Sequence, residues 1–383
     1  MLRLRYLQIL LGDRSIGLSL FIYFMTDNAS TVEIKASQLI GWLINIHCTR
    51  IMDGLRHWTR RMGFMEKASD TYEKLYYSLW ELAGRYSSFI QFRVIGSSHD
   101  ERMIPMLEIG KGKNVLFCLG SLDGRDQITP DILVYMAEEY AKAYECGWLL
   151  EDFYDIRKLL DQIRLCVIPL ANPDGYEICR NGFSVIRNPI YRQMLKMQQI
   201  PCEEFGCNAR GMDLSRNFPT SGYKRTRAGQ GPASENEVKA LIRIFQEYQG
   251  EGLLSFGQAR QRILYYTGDI NGRQIYKSNK IARNLQQCTD RRRVKKEQAS
   301  GLKMGYHLEK QSVIVPENKE SRYFTAGAPE PFYQQITGRP ALRIEIGKTW
   351  GQELTREELS ECTRDIRILP LEYIFSYTSG LVS

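Results

Sequence analysis

The sequence predicts an α/β fold in which a mixed β-sheet is covered by helices on both faces. From about residue 70 onward, short apolar strands alternate with amphipathic helices. Two of these strands, Arg164 to Leu170 and Leu342 to Ile346, are apolar along most of their length, which is typical of strands buried on both faces. The length of 383 residues allows one large domain and an extension. We therefore predict a three-layer α/β/α domain over residues 67–383 and an N-terminal extension over residues 1–66.

The composition is that of an ordinary globular protein, with 43% hydrophobic and 25% charged residues. The net charge of +8 is mildly basic for this size and does not by itself indicate nucleic acid. The nine cysteines are an odd number and are scattered along the chain, which favours a reducing compartment. With no convincing signal peptide, we expect a cytoplasmic protein.

The N-terminal extension contains an apolar run of ten residues, Ile16 to Met25, which is too short to span a bilayer. It favours a buried strand or helix. Residues 31–66 carry apolar side chains at helical spacing, including Ile40, Leu43, Ile44 and Leu55, and predict a helical appendage.

Start, stop and turn signals place the elements of the larger domain. Asp70-Thr-Tyr-Glu begins the first helix, Asn172-Pro-Asp-Gly is a strong turn, and Ser234-Glu-Asn-Glu is a capping box. The predicted helices are 70–86, 130–146, 234–248, 273–287 and one that begins at Thr355. The predicted strands are 89–95, 103–109, 115–119, 164–170, 253–256, 263–266 and 342–346.

Several separated motifs follow one another in a distinctive order. They include Asn172-Pro-Asp-Gly-Tyr, Asp213-Leu-Ser-Arg-Asn-Phe-Pro and Ala341-Leu-Arg-Ile-Glu-Ile-Gly, with the loop 120–129 before them. From about residue 70 to 380 this pattern resembles the zinc carboxypeptidase A family. The short Arg187-Asn-Pro and the Ile-Glu-Ile-Gly ending look more similar to bacterial members, some of which trim cell-wall peptides. The resemblance implies a zinc-dependent removal of C-terminal residues from peptides.

The resemblance also implies roles for two catalytic side chains. Glu345 matches the general base that deprotonates the metal-bound water. Since it lies inside an apolar strand, its carboxylate must be paired or functional, and a salt-bridged core glutamate is the alternative. Arg187 matches the arginine that stabilises the oxyanion, and a surface arginine on a loop is its alternative.

Four further positions match substrate-binding residues of the family. Arg216 matches the arginine that clamps the terminal carboxylate, and Ser215 replaces the asparagine that precedes it. Tyr323 matches the tyrosine that closes over the substrate, and packing is its alternative. Glu330 falls near the specificity pocket. If it points inward it favours a basic or amino-bearing side chain, and if it points outward it is a solvated charge.

The metal positions depart from the family. Asp123 and Asp126 stand where the family has His and Glu, Arg125 is retained between them, and Gly257 replaces the third ligand. The four histidines lie at none of the matched positions. Oxygen ligands prefer Mg²⁺ or Ca²⁺ to zinc, so Asp123, Asp126 and Glu345 could hold such an ion. The alternative, which we favour, is that Arg125 and Arg216 neutralise these carboxylates.

Three functions are compatible with this sequence. The favoured one is a pseudo-peptidase whose pocket binds the C-terminal carboxylate of peptides, including cell-wall stem peptides, for a binding or regulatory role. The second is an active metallocarboxypeptidase with an Asp-based metal site and Glu345 as base. The third is a structural paralogue without a ligand. No nucleic acid or membrane span is expected, and the sequence does not indicate an oligomeric state.

Overall fold

The structure is a computed structural model, and it describes two units of the chain. Contacts divide the chain into residues 1–68 and residues 69–383. The described residues are 7–11, 20–25, 31–35, 71–221, 231–259, 261–267, 271–300, 306–312, 326–347 and 354–380. Among them, no helix is long and apolar enough to cross a membrane.

The described residues of the first unit form a three-stranded antiparallel sheet. Its strands are β1 (Leu7–Leu11), β2 (Leu20–Met25) and β3 (Thr31–Lys35), in that order. The second half of the apolar run Ile16 to Met25 is thus the strand β2, one of the two structures that the sequence left open. The prediction of helix was wrong for residues 31–35, because the β-branched Thr31, Val32 and Ile34 pair with β2. The helical spacing predicted from Ile40 to Leu55 lies outside the described residues.

The second unit is built on an eight-stranded mixed sheet. Its strands are β4 (Ile90–Ser97), β5 (Met103–Ile109), β6 (Asn114–Leu119), β9 (Ile163–Ile168), β10 (Gly250–Gln258), β11 (Arg262–Thr267), β12 (His307–Ser312) and β13 (Ala341–Ile346). The order across the sheet is β12-β11-β13-β10-β6-β9-β5-β4. The central strands β9, β6, β10 and β13 run parallel. A short hairpin of β7 (Leu149–Leu150) and β8 (Tyr154–Asp155) stands apart.

Helices flank this sheet, which confirms the predicted fold class. The described α-helices of this unit are α1 (Tyr72–Arg85), α2 (Thr129–Cys146), α3 (Ile156–Gln162), α4 (Pro173–Asn181), α5 (Pro189–Lys196), α6 (Asn236–Glu247), α7 (Gly272–Ser300), α8 (Pro329–Thr337) and α9 (Arg356–Thr378).

Two helix starts differ from the sequence prediction. The Asn172-Pro-Asp-Gly turn is the start of α4, because the side chain of Asn172 accepts a hydrogen bond from the Gly175 backbone at 2.9 Å. The capping box predicted at Ser234 does not form. Its hydroxyl donates to Glu235, while Glu237 lies beside Asn208.

Candidate functional site

The candidate site lies where the parallel strands β6, β10 and β13 end. In an open parallel sheet, the carboxyl ends of the strands form the edge where ligands bind. The loop after β6 carries Asp123 and Asp126. Gly257 on β10 lies directly opposite Glu345 on β13 in the strand register. All four positions that matter for the metal are therefore carried by adjacent parallel strands or the loops that follow them.

A close backbone contact fixes the loop after β6. A Cβ atom on Gly124 would lie 2.5 Å from the backbone carbon of Gly175, in the Asn172-Pro-Asp-Gly motif. The loop is also held from inside, because the Ser121 hydroxyl donates to the carbonyl of Asp126 at 3.0 Å. Two of the sequence motifs thus pack backbone against backbone at this edge.

Asp123 is engaged by Arg125 in a two-point ion pair. The Nε and Nη2 atoms of Arg125 lie 2.9 and 2.6 Å from the two carboxylate oxygens of Asp123. The prediction that Arg125 neutralises a carboxylate of the site holds for Asp123. This fork geometry is the strong form of an arginine–carboxylate interaction, and it uses both oxygens that a metal would need.

Glu345 is fully buried and is paired with two arginines that the sequence reasoning did not single out. Arg262 lies opposite it on β11 and places Nε and Nη2 at 2.9 and 2.7 Å from Oε2. Arg343, two residues earlier on β13, places Nε at 3.4 Å from Oε1. Each carboxylate oxygen of Glu345 therefore faces a guanidinium group.

The guanidinium of Arg343 lies beside the position that lacks the third metal ligand. A Cβ atom built on Gly257 would lie 2.9 Å from Nη2 of Arg343. The Arg343 side chain is only 15% exposed, and its Nη1 is 3.9 Å from Oε1 of buried Glu330. Burial alone would lower the pKa of Arg343. The negative charges of Glu330 and Glu345 outweigh this effect and raise the pKa above its ordinary value, so the guanidinium stays charged.

Glu330 points into the protein and not into a pocket for a basic ligand. It is fully buried, and its Oε1 accepts a short hydrogen bond from the hydroxyl of Ser255 on β10. Its Oε2 has no hydrogen-bond partner among the described residues. The structure thus excludes a solvated charge at this position, and the nearest guanidinium group in the described part of the chain is that of Arg343, 3.9 Å away.

Asp126 has no arginine within hydrogen-bond distance among the described residues. It is buried, Oδ1 accepts from the backbone of Thr129 at 3.1 Å, and no described donor reaches Oδ2. Burial raises the pKa of Asp126 to about 6, although the hydrogen bonds of Thr129 and the charge of Arg343 act in the opposite direction. It is therefore half-protonated at about pH 6 and mostly ionised at neutral pH.

Arg216 and Ser215 lie on the next loop of the site. Nε of Arg216 is 3.2 Å from Oδ2 of Asp213, and the hydroxyl of Ser215 donates to Oδ1 of the same carboxylate at 2.6 Å. The hydrogen bond to Asp123 raises the pKa of Arg125, and the charge of Asp213 raises it as well. The loop of Asp213 therefore lies near the ion pair of Arg125 and Asp123. Arg216 is 49% exposed. We expected it to neutralise Asp123, Asp126 or Glu345, but the carboxylate with which it pairs in the described structure is Asp213.

Arg187 is held by another loop. Its backbone N–H donates to Asp100 at 2.9 Å, and its Nη1 lies 3.4 and 3.5 Å from the carbonyls of Asp100 and Glu101. These contacts anchor the loop of Arg187. Among the described residues, Arg187 makes no contact with Glu345 or with the two arginines that pair with it. Tyr323 lies outside the described residues.

The sequence carries a signal for the two arginines that we missed. Arg343 and Glu345 are two residues apart on β13, so their side chains point to the same face of the sheet. The pattern Leu-Arg-Ile-Glu therefore indicates a buried arginine as a partner of the glutamate. Arg262 gives no such signal, since its pairing with Glu345 depends on the register between β11 and β13.

The residues at the metal position do not fit the zinc that the resemblance implies. A hydrolytic zinc site needs three protein ligands and an open position. Asp123 is held by Arg125, Gly257 has no side chain, and the space beside it holds the Arg343 guanidinium. The Mg²⁺ or Ca²⁺ alternative meets the same obstacle, because Asp123 and Glu345 are both ion-paired. Of the described carboxylate oxygens at these metal positions, Oδ2 of Asp126 is the one that no hydrogen-bond donor contacts.

One other group of potential ligands occurs among the described residues, formed by His99, Glu235 and Glu237. It is a hydrogen-bond network around the start of α6. Glu235 accepts from Asn208 at 2.8 Å and pairs with Arg210 at 3.3 Å. Burial alone would raise the pKa of Glu235, but its hydrogen bonds lower it to about 2. A positive helix end and an arginine do not favour a cation here.

Comparisons with known proteins show the family and the fold of this chain. The zinc carboxypeptidase family model matches residues 75–338. Metallocarboxypeptidase A of Trichophyton rubrum is 29% identical over 192 residues, which is 46% of this chain and 41% of the relative. The chain spans less than half the length of this curated relative.

Solved structures share the fold. Bovine thrombin-activatable fibrinolysis inhibitor, in complex with tick carboxypeptidase inhibitor, aligns at 16% identity with a TM-score of 0.59, over 81% of this chain and 97% of that chain. Carboxypeptidase A from Helicoverpa armigera aligns at 19% identity with a TM-score of 0.55, over 80% of this chain and 74% of that chain. The family model covers more than two thirds of the sequence, and the motifs lie on the expected strands and loops. This chain belongs to the zinc carboxypeptidase family.

Proposed function

We propose that this chain is a non-hydrolytic member of its family that binds the C-terminal carboxylate of peptides. The observation that carries the proposal is the pairing of Glu345 with Arg262 and Arg343. A general base must accept a proton from water, and both carboxylate oxygens of Glu345 are already engaged by guanidinium groups. Together with the lost ligand at Gly257, this argues against hydrolysis.

Carboxylate binding is supported by the loop of Arg216. This arginine is half-exposed at the sheet edge, and Asp213 orients it through Nε. A guanidinium fork suits a carboxylate in two-point geometry. Cell-wall stem peptides are one class of peptide that the similarity to bacterial members suggests as ligands.

Peptide binding can be tested with fluorescently labelled peptides. The free-acid form should bind, and the matched C-terminal amide should not. Arg216→Ala should weaken binding of the free acid by about tenfold or more, the expected loss for one charge-assisted pair. Lys142→Ala on α2, which pairs with Glu138 on the helix surface, is the control and should bind as the original chain does. Equal affinity of the Arg216→Ala variant would contradict the carboxylate pocket.

The unpartnered Oδ2 of Asp126 favours a second candidate, an active metallocarboxypeptidase with an Asp-based metal site. In that case Glu345 acts as base, and Glu345→Gln must abolish any metal-dependent release of C-terminal residues. Hydrolysis that survives this substitution would rule the second candidate out.

A paralogue without a ligand differs from both. Peptides or free amino acids should raise the melting temperature of a binding protein and leave that of a purely structural one unchanged.

A further inference from the structure

Most of the excess positive charge of this chain lies on one helix. The helix α7, Gly272–Ser300, carries nine Lys or Arg residues against two Asp or Glu residues, which gives a formal charge of +7. The whole chain has a formal charge of +8, so all the other residues together contribute only +1. Net charge that is concentrated on one element in this way is typical of a surface that binds an anionic partner.

The cations in the first half of α7 share one face of the helix. Arg273, Lys277, Lys280 and Arg283 follow one another at spacings of four, three and three residues. They therefore lie within about 120° of the helix circumference, and we call them the α7 basic stripe. Both arginines are exposed and both lysines are half-buried. No Asp or Glu occurs between residues 272 and 289.

The α7 basic stripe does not stabilise its own helix. Like charges three or four residues apart on a helix repel one another and destabilise it. None of the four side chains forms an ion pair with another residue in the described part of the chain. Lys280 instead lies over the ring of Tyr276, with Nζ 5.7 Å from the ring centroid. The stripe therefore presents charge of one sign to solvent.

The opposite face of α7 is fixed to the domain. The helix packs on β11 and α9, and its residues Ile281, Ala282 and Leu285 are fully buried. Gln334 of α8 also donates to the hydroxyl of Ser278 at 3.0 Å. Because its apolar face is covered, α7 cannot insert that face into a bilayer, and binding through the exposed face must be electrostatic.

Two features of α7 favour a flat anionic surface over nucleic acid. Asn and Gln side chains read adenine in duplex DNA, but Asn284 donates to a hydroxyl of α9 at 3.2 Å and Gln286 to the carbonyl of Tyr306 at 2.7 Å. Single strands stack their bases on free aromatic rings, but the ring of Tyr276 is faced by Lys280. A tyrosine that is 59% exposed suits the headgroup level of a membrane.

We propose that the α7 basic stripe attaches this protein to a membrane surface rich in anionic lipids. The lipid headgroups supply the negative charge that the stripe does not find among the described residues. Clusters of about four to eight Lys or Arg residues on one helix are typical of such attachment. Because α7 stays packed on the domain, the attachment is reversible and depends on salt. It is independent of the proposed peptide binding.

The experiment is co-sedimentation of the full chain with vesicles of phosphatidylcholine alone, or of phosphatidylcholine with about 30% phosphatidylserine. The chain should bind the anionic vesicles and not the neutral ones. Its affinity should fall at least about tenfold between roughly 50 and 300 mM salt. Lys277→Gln with Lys280→Gln should weaken binding by roughly 20- to 30-fold, since each cation near such a surface contributes about fivefold.

A matched variant controls for net charge. Lys158→Gln with Lys239→Gln removes the same charge from two exposed lysines on α3 and α6, and it should bind anionic vesicles as the original chain does. Equal melting temperatures show that both double variants are folded. If the α7 variant does not fold, Arg273→Gln with Arg283→Gln removes the two exposed ends of the stripe and takes its place, with the same expected loss.

Three outcomes would overturn the inference. The first is binding that does not distinguish anionic from neutral vesicles, or that is absent from both. The second is an equal loss in the α7 variant and the matched control, which would mean that net charge alone drives binding. The third is tighter binding to single-stranded DNA than to anionic vesicles, weakened by the same substitutions. The α7 variant should keep its affinity for free-acid peptides, so the failure of peptide binding and the failure of membrane attachment are separate results.

Discussion

Two buried clusters of carboxylates in the same domain are satisfied to different degrees. The first, the Asp174 cluster, consists of Ser98, Asp100, Arg102 and Asp174. The second, the Glu345 cluster, consists of Asp126, Arg262, Glu330, Arg343 and Glu345. Both are held by arginine, and both include a residue from a motif that the chain shares with its family.

The Asp174 cluster is fully hydrogen-bonded. Oδ1 of Asp174 accepts from the Ser98 hydroxyl at 2.6 Å and from Arg102 at 2.9 Å, and Oδ2 accepts from the backbone of Asp100 at 3.1 Å. Among the described residues, the Glu345 cluster leaves Oδ2 of Asp126 and Oε2 of Glu330 without a donor. Buried acceptors without partners are costly and uncommon in native proteins. The comparison teaches that polar groups are satisfied in the scaffold that the chain shares with its family and less completely satisfied at the sheet edge that carries the metal positions.

The largest effect is expected from Arg102→Met in the Asp174 cluster. Arg102 is 5% exposed, pairs with two carboxylates and also donates to the carbonyl of Val185. Its loss should lower the free energy of unfolding by about 3 to 5 kcal/mol, measured by urea unfolding. Arg93→Met is the control and should cost less than about 1 kcal/mol, because Arg93 is 43% exposed and its buried partner Glu108 keeps Arg164 at 2.5 Å. Similar losses for both variants would contradict the distinction between buried and exposed pairs.

Asp126→Asn should stabilise the protein, in contrast to changes in the Asp174 cluster. The folded-state pKa of Asp126, about 6, is above its ordinary value of 3.8, so the folded state binds this proton more tightly than the unfolded state. Ionisation of Asp126 therefore lowers the free energy of unfolding. This loss is zero below about pH 4, grows between about pH 4 and pH 6, and is constant at higher pH. The variant should gain up to about 3 kcal/mol above pH 7.

The measurement for Asp126→Asn is chemical unfolding of both proteins at pH 4.5 and pH 7.5. The gain should be clearly larger at the higher pH. An equal gain at both pH values would show that burial does not raise the pKa of Asp126. A loss of stability at pH 7.5 would show that the charge of Asp126 is well compensated in the folded protein.

Arg262→Met should destabilise the protein by about 2 kcal/mol, because Glu345 keeps Arg343 as its second partner. A double-mutant cycle with Glu345→Gln measures the coupling of the pair by urea unfolding. We expect a coupling of about 1 kcal/mol or more. Additive effects of the two substitutions would mean that the ion pair contributes nothing.

The smallest effects concern two glycines at the sheet edge. Gly124→Ala should cost about 1 to 3 kcal/mol, since the new methyl group would meet the backbone of Gly175. Gly257→Ala should cost less than about 1 kcal/mol, because it meets only the end of the Arg343 side chain, which can move. Thermal unfolding of both variants tests this order, and a larger loss for Gly257→Ala would show that the Arg343 position is rigid.

The sheet was largely predictable from the sequence because its central strands are apolar runs bounded by turns. The strands over Met103–Ile109 and Asn114–Leu119 lie where the pattern placed them. The strand β12 was missed, since His-Leu-Glu-Lys-Gln-Ser carries little apolar pattern. The helix α7 is longer than predicted because its second half is strongly polar, so periodicity gave no reason to extend it.

The site was predictable in part. The motifs predicted Asp123, Asp126, Gly257 and Glu345 as neighbours, and the strand register places Gly257 opposite Glu345. The partners of Glu345 could not be predicted fully, because the pairing with Arg262 depends on β11 lying beside β13 in this register. Nor could the sequence show that Arg216 and Ser215 turn toward Asp213, a contact within one short turn of the chain.

The most direct test of the central claim is the zinc content of the purified protein, measured by mass spectrometry after incubation with excess zinc and desalting. Because arginines occupy the carboxylates of the site, we predict that essentially no zinc is retained. Retention of about one zinc ion per chain, lost in Asp123→Ala, would contradict the claim and show that these residues form a working metal site.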